Sequence, residues 1–277
     1  MESGRTLRIG LIGGAIVLAG VIYLLPKKPQ PTEAVAQKTE KTFSGFSFEK
    51  FITDSKAKLP WDQGNKISAW EDQLKKDSTE LGIYDSIGNV FDKNSLPGPA
   101  AWYFERKANR NKAEADWLNA SYRYFDAFKA SQDSVESSYF VEQALKSYSK
   151  VIAINPRNLD AKTDLGILYA EGTGEPMKGI TLLREVVTEN PLHQNAHLNL
   201  GFLSMKSGQF DKAIERFNKV LEINSTRIDM YVYLGEAYVR KGEKGKAIEN
   251  FQIFKNLSND PSMTKQVDDY IAALKAE

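Results

Sequence analysis

One feature constrains the fold of this chain more than any other, a short pattern that recurs about every 34 residues. A Leu-Gly pair stands at 165–166, at 200–201 and again at 234–235. The second and third pairs are each followed by an alanine and then a phenylalanine at the same distance, Ala213 with Phe217 and Ala247 with Phe251. A period of this length is typical of stacked helix pairs, which bury their apolar faces only against their neighbours. The spacing therefore predicts an all-helical array.

Two weaker copies of the pattern precede the strong ones. Ile87-Gly88 begins the first copy, and Ala120-Ser121 begins the second. In the second copy, Ala144 and Tyr148 come eleven residues later than the period requires, and the extra residues fall around 131–138. Either both helices of this unit are longer than usual, or a surface loop protrudes between them. Loops of that kind often carry function, although an insertion can also simply be tolerated.

The repeated positions resemble the signature of the tetratricopeptide repeat (TPR) family over residues 81–257, in about five units. The resemblance implies an all-α fold, a TPR-type α-solenoid in which helix pairs form a right-handed superhelix. It also implies a concave groove, lined by the first helix of each pair, that holds peptides or helices of other proteins. The implied role is a scaffold or adaptor, not an enzyme, and the resemblance leaves the partner open.

Short segments flank the predicted repeats. Residues 46–80 are expected to form two capping helices, because apolar residues return at helical spacing and Pro60 separates the two faces. Residues 258–277 predict a C-terminal capping helix, because one amphipathic pattern follows Pro261. Residues 26–45 hold three prolines and few large apolar residues, which predicts a semi-extended linker.

The N-terminus predicts a membrane segment. After a short tail at 1–8, residues 9–25 contain only apolar residues, glycines and one tyrosine, enough to span roughly 25 Å as a helix. The alternative is a cleaved signal peptide, because Ala34-Val35-Ala36 has the form of a cleavage site, although it lies well beyond the apolar run. The predicted membrane contacts are Ile9, Leu11, Ile12, Ile16, Val17, Leu18, Val21, Ile22, Leu24 and Leu25.

Basic residues leave the orientation of this segment nearly balanced, with two before it and two directly after it. The short tail favours an N-terminus inside the cell, which predicts a single-pass protein of the bacterial inner membrane with its repeats in the periplasm. Gly10 and Gly14 form a G-x-x-x-G pair that can let two such helices pack closely. Alternatively, these glycines reflect the ordinary composition of membrane helices.

Residues on the face of each first helix opposite the Leu-Gly pair form the predicted partner-binding groove. They are Leu118, Tyr122, Phe125, Thr163, Ile167, Asn195, Leu198, Phe202, Met205, Val232 and Glu236. The middle of this set is apolar, and acidic residues such as Asp92 and Asp229 stand towards its ends. We expect it to hold an apolar segment or an amphipathic helix of another protein. Alternatively, the chain's own packing covers these residues. The Lys, Asn and Arg pattern by which co-chaperone members of the family clamp a terminal carboxylate is absent.

Other chemistry finds little support in the composition. The net charge of +1 gives no basic excess for nucleic acid, and the lack of cysteine excludes disulfides and thiolate metal sites. His193 and His197 lie four residues apart, as in some metal pairs, but no third ligand stands near, so we expect capping or packing roles. No catalytic motif is present, and neither a cofactor nor a metal is predicted.

Two hypotheses on function follow. The first is a membrane-tethered scaffold that holds a partner in an envelope assembly; some anchored repeat proteins resemble ancillary subunits of the protein-export channel. The second is a self-associating structural subunit of a membrane complex, a homo-oligomer built through the membrane helix and the capping surfaces.

Overall fold

A computed structural model describes residues 46–276, and within that range all the regular secondary structure is helical. The helices are α1 Phe48–Ala57, α2 Trp61–Lys76, α3 Leu81–Lys93, α4 Pro97–Asn111, α5 Glu114–Ala130, α6 Ser134–Ile154, α7 Leu159–Gly172, α8 Pro176–Glu189, α9 Gln194–Lys206, α10 Phe210–Ile223, α11 Asp229–Lys241, α12 Lys244–Leu257 and α13 Pro261–Ala276. The predicted tail, membrane segment and linker at 1–45 lie outside these residues. Between residues 46 and 276, no helix combines the length and the apolar character that crossing a bilayer requires.

Helices α3 to α12 pack as five consecutive pairs, and each pair also packs against the next. The first helix of each pair carries the Leu-Gly position or its equivalent, and the second helix carries the following alanine and aromatic residue. Each pair therefore buries its apolar side partly within itself and partly against its neighbours. The all-helical, TPR-like solenoid predicted from the period is confirmed.

The glycines of the pattern make room for an aromatic ring. A Cβ atom placed on Gly201 would lie 2.5 Å from the ring of Phe217, and one on Gly88 would lie 2.7 Å from the ring of Phe104. These distances are well inside van der Waals contact, so only glycine leaves space for the ring. In the α7–α8 pair it is two backbones that approach closely, since Gly179 lies against the carbonyl of Gly166.

The turns between successive units repeat one hydrogen bond. In each turn an asparagine side chain accepts a bond from the backbone N–H two residues later, at 3.1 Å for Asn155, 3.0 Å for Asn190 and 3.1 Å for Asn224. An asparagine in this position closes a turn without help from the rest of the fold. The same local chemistry therefore returns the chain to the start of each new first helix.

The eleven extra residues of the second unit lengthen its helices. Helix α5 has 17 residues and α6 has 21, and only residues 131–133 connect them. Asp133 caps α6 by accepting bonds from the N–H groups of Val135 and Glu136. Of the two alternatives that the sequence left open, the longer helices are therefore the observed one, and the protruding loop is wrong.

The two helices at the N-terminal end play different roles. Helix α2 covers the first unit, since Ile67 is fully buried in a cluster with Ile83 and Ile87 of α3. Helix α1 instead lies across the second helices α4 and α6, with Phe48 against Trp102 at a ring distance of 6.0 Å and Phe51 against Phe140 at 5.6 Å. The lengthened start of α6 supplies this contact.

We call this contact the aromatic bridge. It consists of Phe46, Phe48, Phe51, Trp102, Tyr139 and Phe140. At the opposite end of the array, α13 packs Val267, Ile271 and Leu274 against the last pair, in the place where the sequence predicts a C-terminal cap.

Candidate functional site

The first helices form the inner side of the array. Helix α5 packs against α7, and α7 packs against α9, so these three first helices approach one another directly. Among the described helices, consecutive second helices do not pack directly against each other to the same extent. Elements that lie closer together occupy the inside of a curve, so α5, α7 and α9 lie on the concave side of the array.

All the predicted groove residues lie on first helices, but their exposure differs. Most of them are half-buried, whereas Asn195 and Glu236 are exposed and Thr163 is buried. The hydroxyl of Thr163 donates to the carbonyl of Leu159 at 2.8 Å, within its own helix. Thr163 therefore has no surface to offer a partner, and its place in the predicted groove is corrected.

Helix α9 carries the apolar centre of the inner face. Phe202 makes edge-to-face contacts with Tyr233 of the next first helix, at 4.8 Å, and with Phe217, at 5.5 Å. Leu198 and Met205 pack against the same core cluster and remain half-buried. These side chains thus belong partly to the core and partly to the surface. Packing within the chain covers one part of each side chain, and the rest of it remains exposed.

Helix α5 extends this apolar face towards the N-terminal end. The ring of Tyr122 lies 6.2 Å from that of Tyr148, and Phe125 lies 6.0 Å from Phe128. The ammonium group of Lys129 lies over Phe125 at 5.6 Å. Ring-to-ring contacts of this kind restrict the side chains before any partner binds.

The acidic ends of the predicted groove are largely neutralised by the chain itself. Asp92 accepts from the guanidinium of Arg123 at 2.8 Å, and Asp229 accepts from Arg227 at 2.7 Å and 2.9 Å. Glu236 is an exception, an exposed residue whose pKa is raised by partial desolvation. Asp92 and Asp229 therefore carry arginine partners from the chain itself, which the sequence pattern could not show.

One carboxylate beside the groove was not predicted. Asp164 accepts a hydrogen bond from the hydroxyl of Tyr148 at 3.3 Å. Burial raises its pKa to about 6, and the negative charges of Asp160 and Asp126 contribute. The residue was missed because it lies two positions before Gly166, off the face used for prediction. Its nearness to Asp126 depends on how α5 and α7 pack.

The two histidines have structural roles. Nδ1 of His193 accepts from the N–H of Ala196 at 3.3 Å and caps α9, and Nε2 lies 3.2 Å from Asp160. His197 is buried and bonds the carbonyl of Pro191 at 3.0 Å, and burial lowers its pKa. The predicted capping and packing roles are confirmed. Across the described part of the chain, no three His, Cys, Asp or Glu side chains come together as a metal site would require.

Known proteins share this architecture. A family model described as a TPR repeat matches residues 203–242, from α9 to α11. The crystal structure of MamA is 21% identical, with a TM-score of 0.52 over 64% of this chain and 91% of MamA. A thermophilic TPR protein of Thermus thermophilus is 21% identical, with a TM-score of 0.50 over 62% of this chain and 89% of that protein. These matches support TPR repeats and a shared fold.

Curated relatives share only a part of their length with this chain. Anaphase-promoting complex subunit 3 of Schizosaccharomyces pombe is 28% identical over 123 residues, which cover 44% of this chain and 18% of that subunit. The chain spans about a fifth of the length of the curated relatives it matches. The likeness therefore concerns the repeats.

Proposed function

We propose that this chain is a non-catalytic TPR scaffold that binds an apolar segment or an amphipathic helix of a partner protein on its inner face. One observation carries the proposal, a row of half-buried apolar side chains on four successive first helices. The row consists of Leu118, Tyr122, Phe125, Ile167, Leu198, Phe202, Met205 and Val232.

Half-buried side chains suit this role for an energetic reason. Each one is held by its own unit, so a partner that covers it gains apolar burial at a small cost in side-chain entropy. Met205 adds adaptability, because its unbranched thioether fills irregular surfaces. A helix of the partner would place residues at i, i+3 and i+4 along this row.

Charge next to the apolar row favours a particular kind of segment. Asp160 and Asp164 lie beside Tyr122 and contribute to raising the pKa of its hydroxyl, after burial as the main cause. A lysine or arginine in the bound segment would relieve the repulsion between these two carboxylates. The proposed partner segment is therefore apolar along one side, with a basic residue towards α5 and α7.

The proposal includes a membrane tether at residues 9–25, with the linker at 26–45 and the repeats on the periplasmic side of a bacterial inner membrane. The apolar run and the short N-terminal tail support it. A scaffold held in this way would keep its partner in an envelope assembly, such as one that handles exported chains.

Crosslinking in intact cells tests the groove. A photo-crosslinking amino acid replaces Met205 in one full-length variant and Arg184, exposed on the second helix α8, in a matched control. We expect adducts with other proteins from position 205 and not from position 184, with loss of those adducts when Leu198→Gln is added. Equal adducts at both positions would contradict the groove. Adducts with the chain itself alone would favour the self-associating structural subunit.

Membrane fractionation tests the tether separately. The full-length chain is expected in the membrane pellet after alkaline extraction and in the supernatant after detergent. A variant that lacks residues 1–25 is expected in the soluble fraction. Recovery of the intact chain in the soluble fraction would contradict the tether and leave the groove proposal standing.

A further inference from the structure

We infer a second binding site, a cationic and aromatic cleft at the N-terminal end of the array, that takes the carboxylates of an acidic peptide segment. The cleft has a volume of about 370 Å³ and lies where α2 and the loop after it meet α3 and α4. The residues that line it and carry the inference are Glu71, Leu74, Tyr84, Trp102, Arg106 and Arg110.

Two arginines of α4 are fixed in the cleft by stacking. The guanidinium carbon of Arg106 lies 4.3 Å from the ring centre of Trp102, and that of Arg110 lies 4.7 Å from the ring centre of Tyr84. Arg110 also donates from Nε to the carbonyl of Ser78 at 2.6 Å. A guanidinium over a ring keeps its N–H groups in its own plane, where they can still bond an anion at the edge. Arg110 also donates from Nη1 to the carbonyl of Arg106 at 3.0 Å, so Arg106 has the larger number of N–H groups left for a ligand.

The positive charge of the cleft is not cancelled from within. In the described part of the chain, neither guanidinium has an ion-pair partner. The nearest lining carboxylate, that of Glu71, is already occupied on both oxygens. It accepts from the hydroxyl of Tyr103 at 2.6 Å and from the ammonium of Lys56 at 2.7 Å. The cleft therefore presents two guanidinium groups that have no ion-pair partner among the described residues.

The arrangement fits a carboxylate in particular. The planar guanidinium of Arg106 matches the two oxygens of a carboxylate in a bidentate pair, and no hydrogen bond within the described chain competes for its N–H groups. Trp102 and Leu74 add apolar walls, which lower the local dielectric constant and strengthen such a pair. The size of the cleft suits one or two side chains of an extended acidic segment.

This site differs from the inner groove in both place and chemistry. The cleft is built by α2 to α4, whereas the apolar row of the groove begins at α5. The overall net charge of the chain is only +1, so attraction to acidic peptides would come from this local concentration of charge. The two sites can be tested independently.

The test measures binding of a fluorescently labelled octaglutamate peptide to the full-length chain by anisotropy, at low and at moderate ionic strength. The variant Arg106→Gln removes the guanidinium whose N–H groups are free, and Arg184→Gln on α8 is the matched control. We expect Arg106→Gln to weaken binding about tenfold, as the loss of a charge-assisted pair requires, and the control to bind like the wild type. Arg106→Lys should also weaken binding, because an ammonium group cannot form the planar pair.

Circular dichroism of each variant shows that the fold is retained, and Arg106 is chosen because its loss breaks no hydrogen bond described in the structure. Absence of octaglutamate binding to the wild type, or equal binding by Arg106→Gln, would overturn the inference. Inorganic phosphate provides the last arm. Phosphate is added so that its total negative charge equals that of the peptide carboxylates. If it then displaces the peptide completely, the cleft is a general anion site, and the assignment to acidic peptides is wrong.

Discussion

The two ends of the array solve the same packing problem differently. In α9 to α12, each unit uses one device, a glycine on the first helix that receives the phenylalanine ring of the second, as Gly201 receives Phe217. In α1 to α6, only the pair α3–α4 uses that device, while the second unit has longer helices and gains the aromatic bridge. Where the repeated pattern weakens, contacts from outside the repeat replace it.

This difference shows which contacts stabilise a unit that departs from the repeated pattern. Ser121 takes the glycine position in the second unit, is fully buried and donates to the carbonyl of Trp117 at 2.7 Å. The ring that would have met a glycine is then free to pack elsewhere, as Tyr148 does towards Asp164. The regular units are stabilised by local fit, and the irregular unit by longer-range contacts.

The largest expected effect is the loss of a ring in the regular half. Phe217→Ala empties the space beside Gly201, and since Phe217 is fully buried the free energy of unfolding should fall by about 3–5 kcal/mol. Hydrogen exchange of amides in α9 to α12 measures the change. Equal protection in the variant and the wild type would show that the regular units do not depend on this contact.

A smaller loss is expected when the glycine side of the same contact is filled. Gly201→Val would place Cβ 2.5 Å from the ring of Phe217, and overpacking of this kind costs about 1–3 kcal/mol. Gly245→Ala is the matched control, because no atom lies within 4 Å of its Cβ position and alanine favours the helix. The midpoint of thermal unfolding should be lower than that of the wild type for Gly201→Val and higher for Gly245→Ala. Similar shifts of the midpoint in both variants would count against the packing role of Gly201.

In the second and third units, a change that stabilises the chain is expected. The pKa of Asp164 is raised to about 6 in the folded state from an ordinary value of 3.8, so the folded state holds its proton more tightly than the unfolded state. The stability that this group contributes is present below about pH 4 and is lost as the pH rises through about 6. Asp164→Asn should therefore raise the free energy of unfolding at pH 8 by on the order of 1–2 kcal/mol.

Urea denaturation of the variant and the wild type at pH 4 and pH 8 checks this expectation. Comparison at the same pH cancels other titrating groups, such as His197. The increase in the free energy of unfolding caused by Asp164→Asn should be present at pH 8 and absent at pH 4. A gain of equal size at both values would assign the effect to packing and not to charge.

The smallest effect is expected in the aromatic bridge. Phe48→Ala removes ring contacts to Trp102 and Tyr139, and such contacts contribute about 0.5–1.5 kcal/mol beyond area burial. We expect faster hydrogen exchange in α1 and no change in α9 to α12. Loss of protection throughout the array would show that the bridge stabilises the whole fold and not its N-terminal end.

The regular part of this architecture was accessible to prediction because it depends on local spacing. The helix pairs follow from residues such as Gly235 and Phe251, which repeat at fixed distances. The lengthened helices remained ambiguous, because a helix extension and a loop have similar compositions around Ser134. The position of α1 was missed, since nothing near Phe48 specifies Tyr139, more than ninety residues away in the sequence.

The candidate groove was predictable to the same degree. Helical periodicity predicts which residues share one face of each first helix, and Met205 and Val232 are half-buried on first helices. It could not decide how much of each side chain the next unit would cover, so Thr163 was included although it is buried. Nor could it pair Asp92 with Arg123, because that contact crosses between two units.

The aromatic bridge has a mechanical consequence. A solenoid changes its curvature when neighbouring pairs tilt against each other, and α1 ties the outer helices of two adjacent pairs together through Trp102 and Phe140. Helix α1 thus bridges the junction between the first and second pairs, and among the described helices no helix bridges the later junctions in this way. We therefore expect the tilt between neighbouring pairs to vary least between the first and second units and most between the last units.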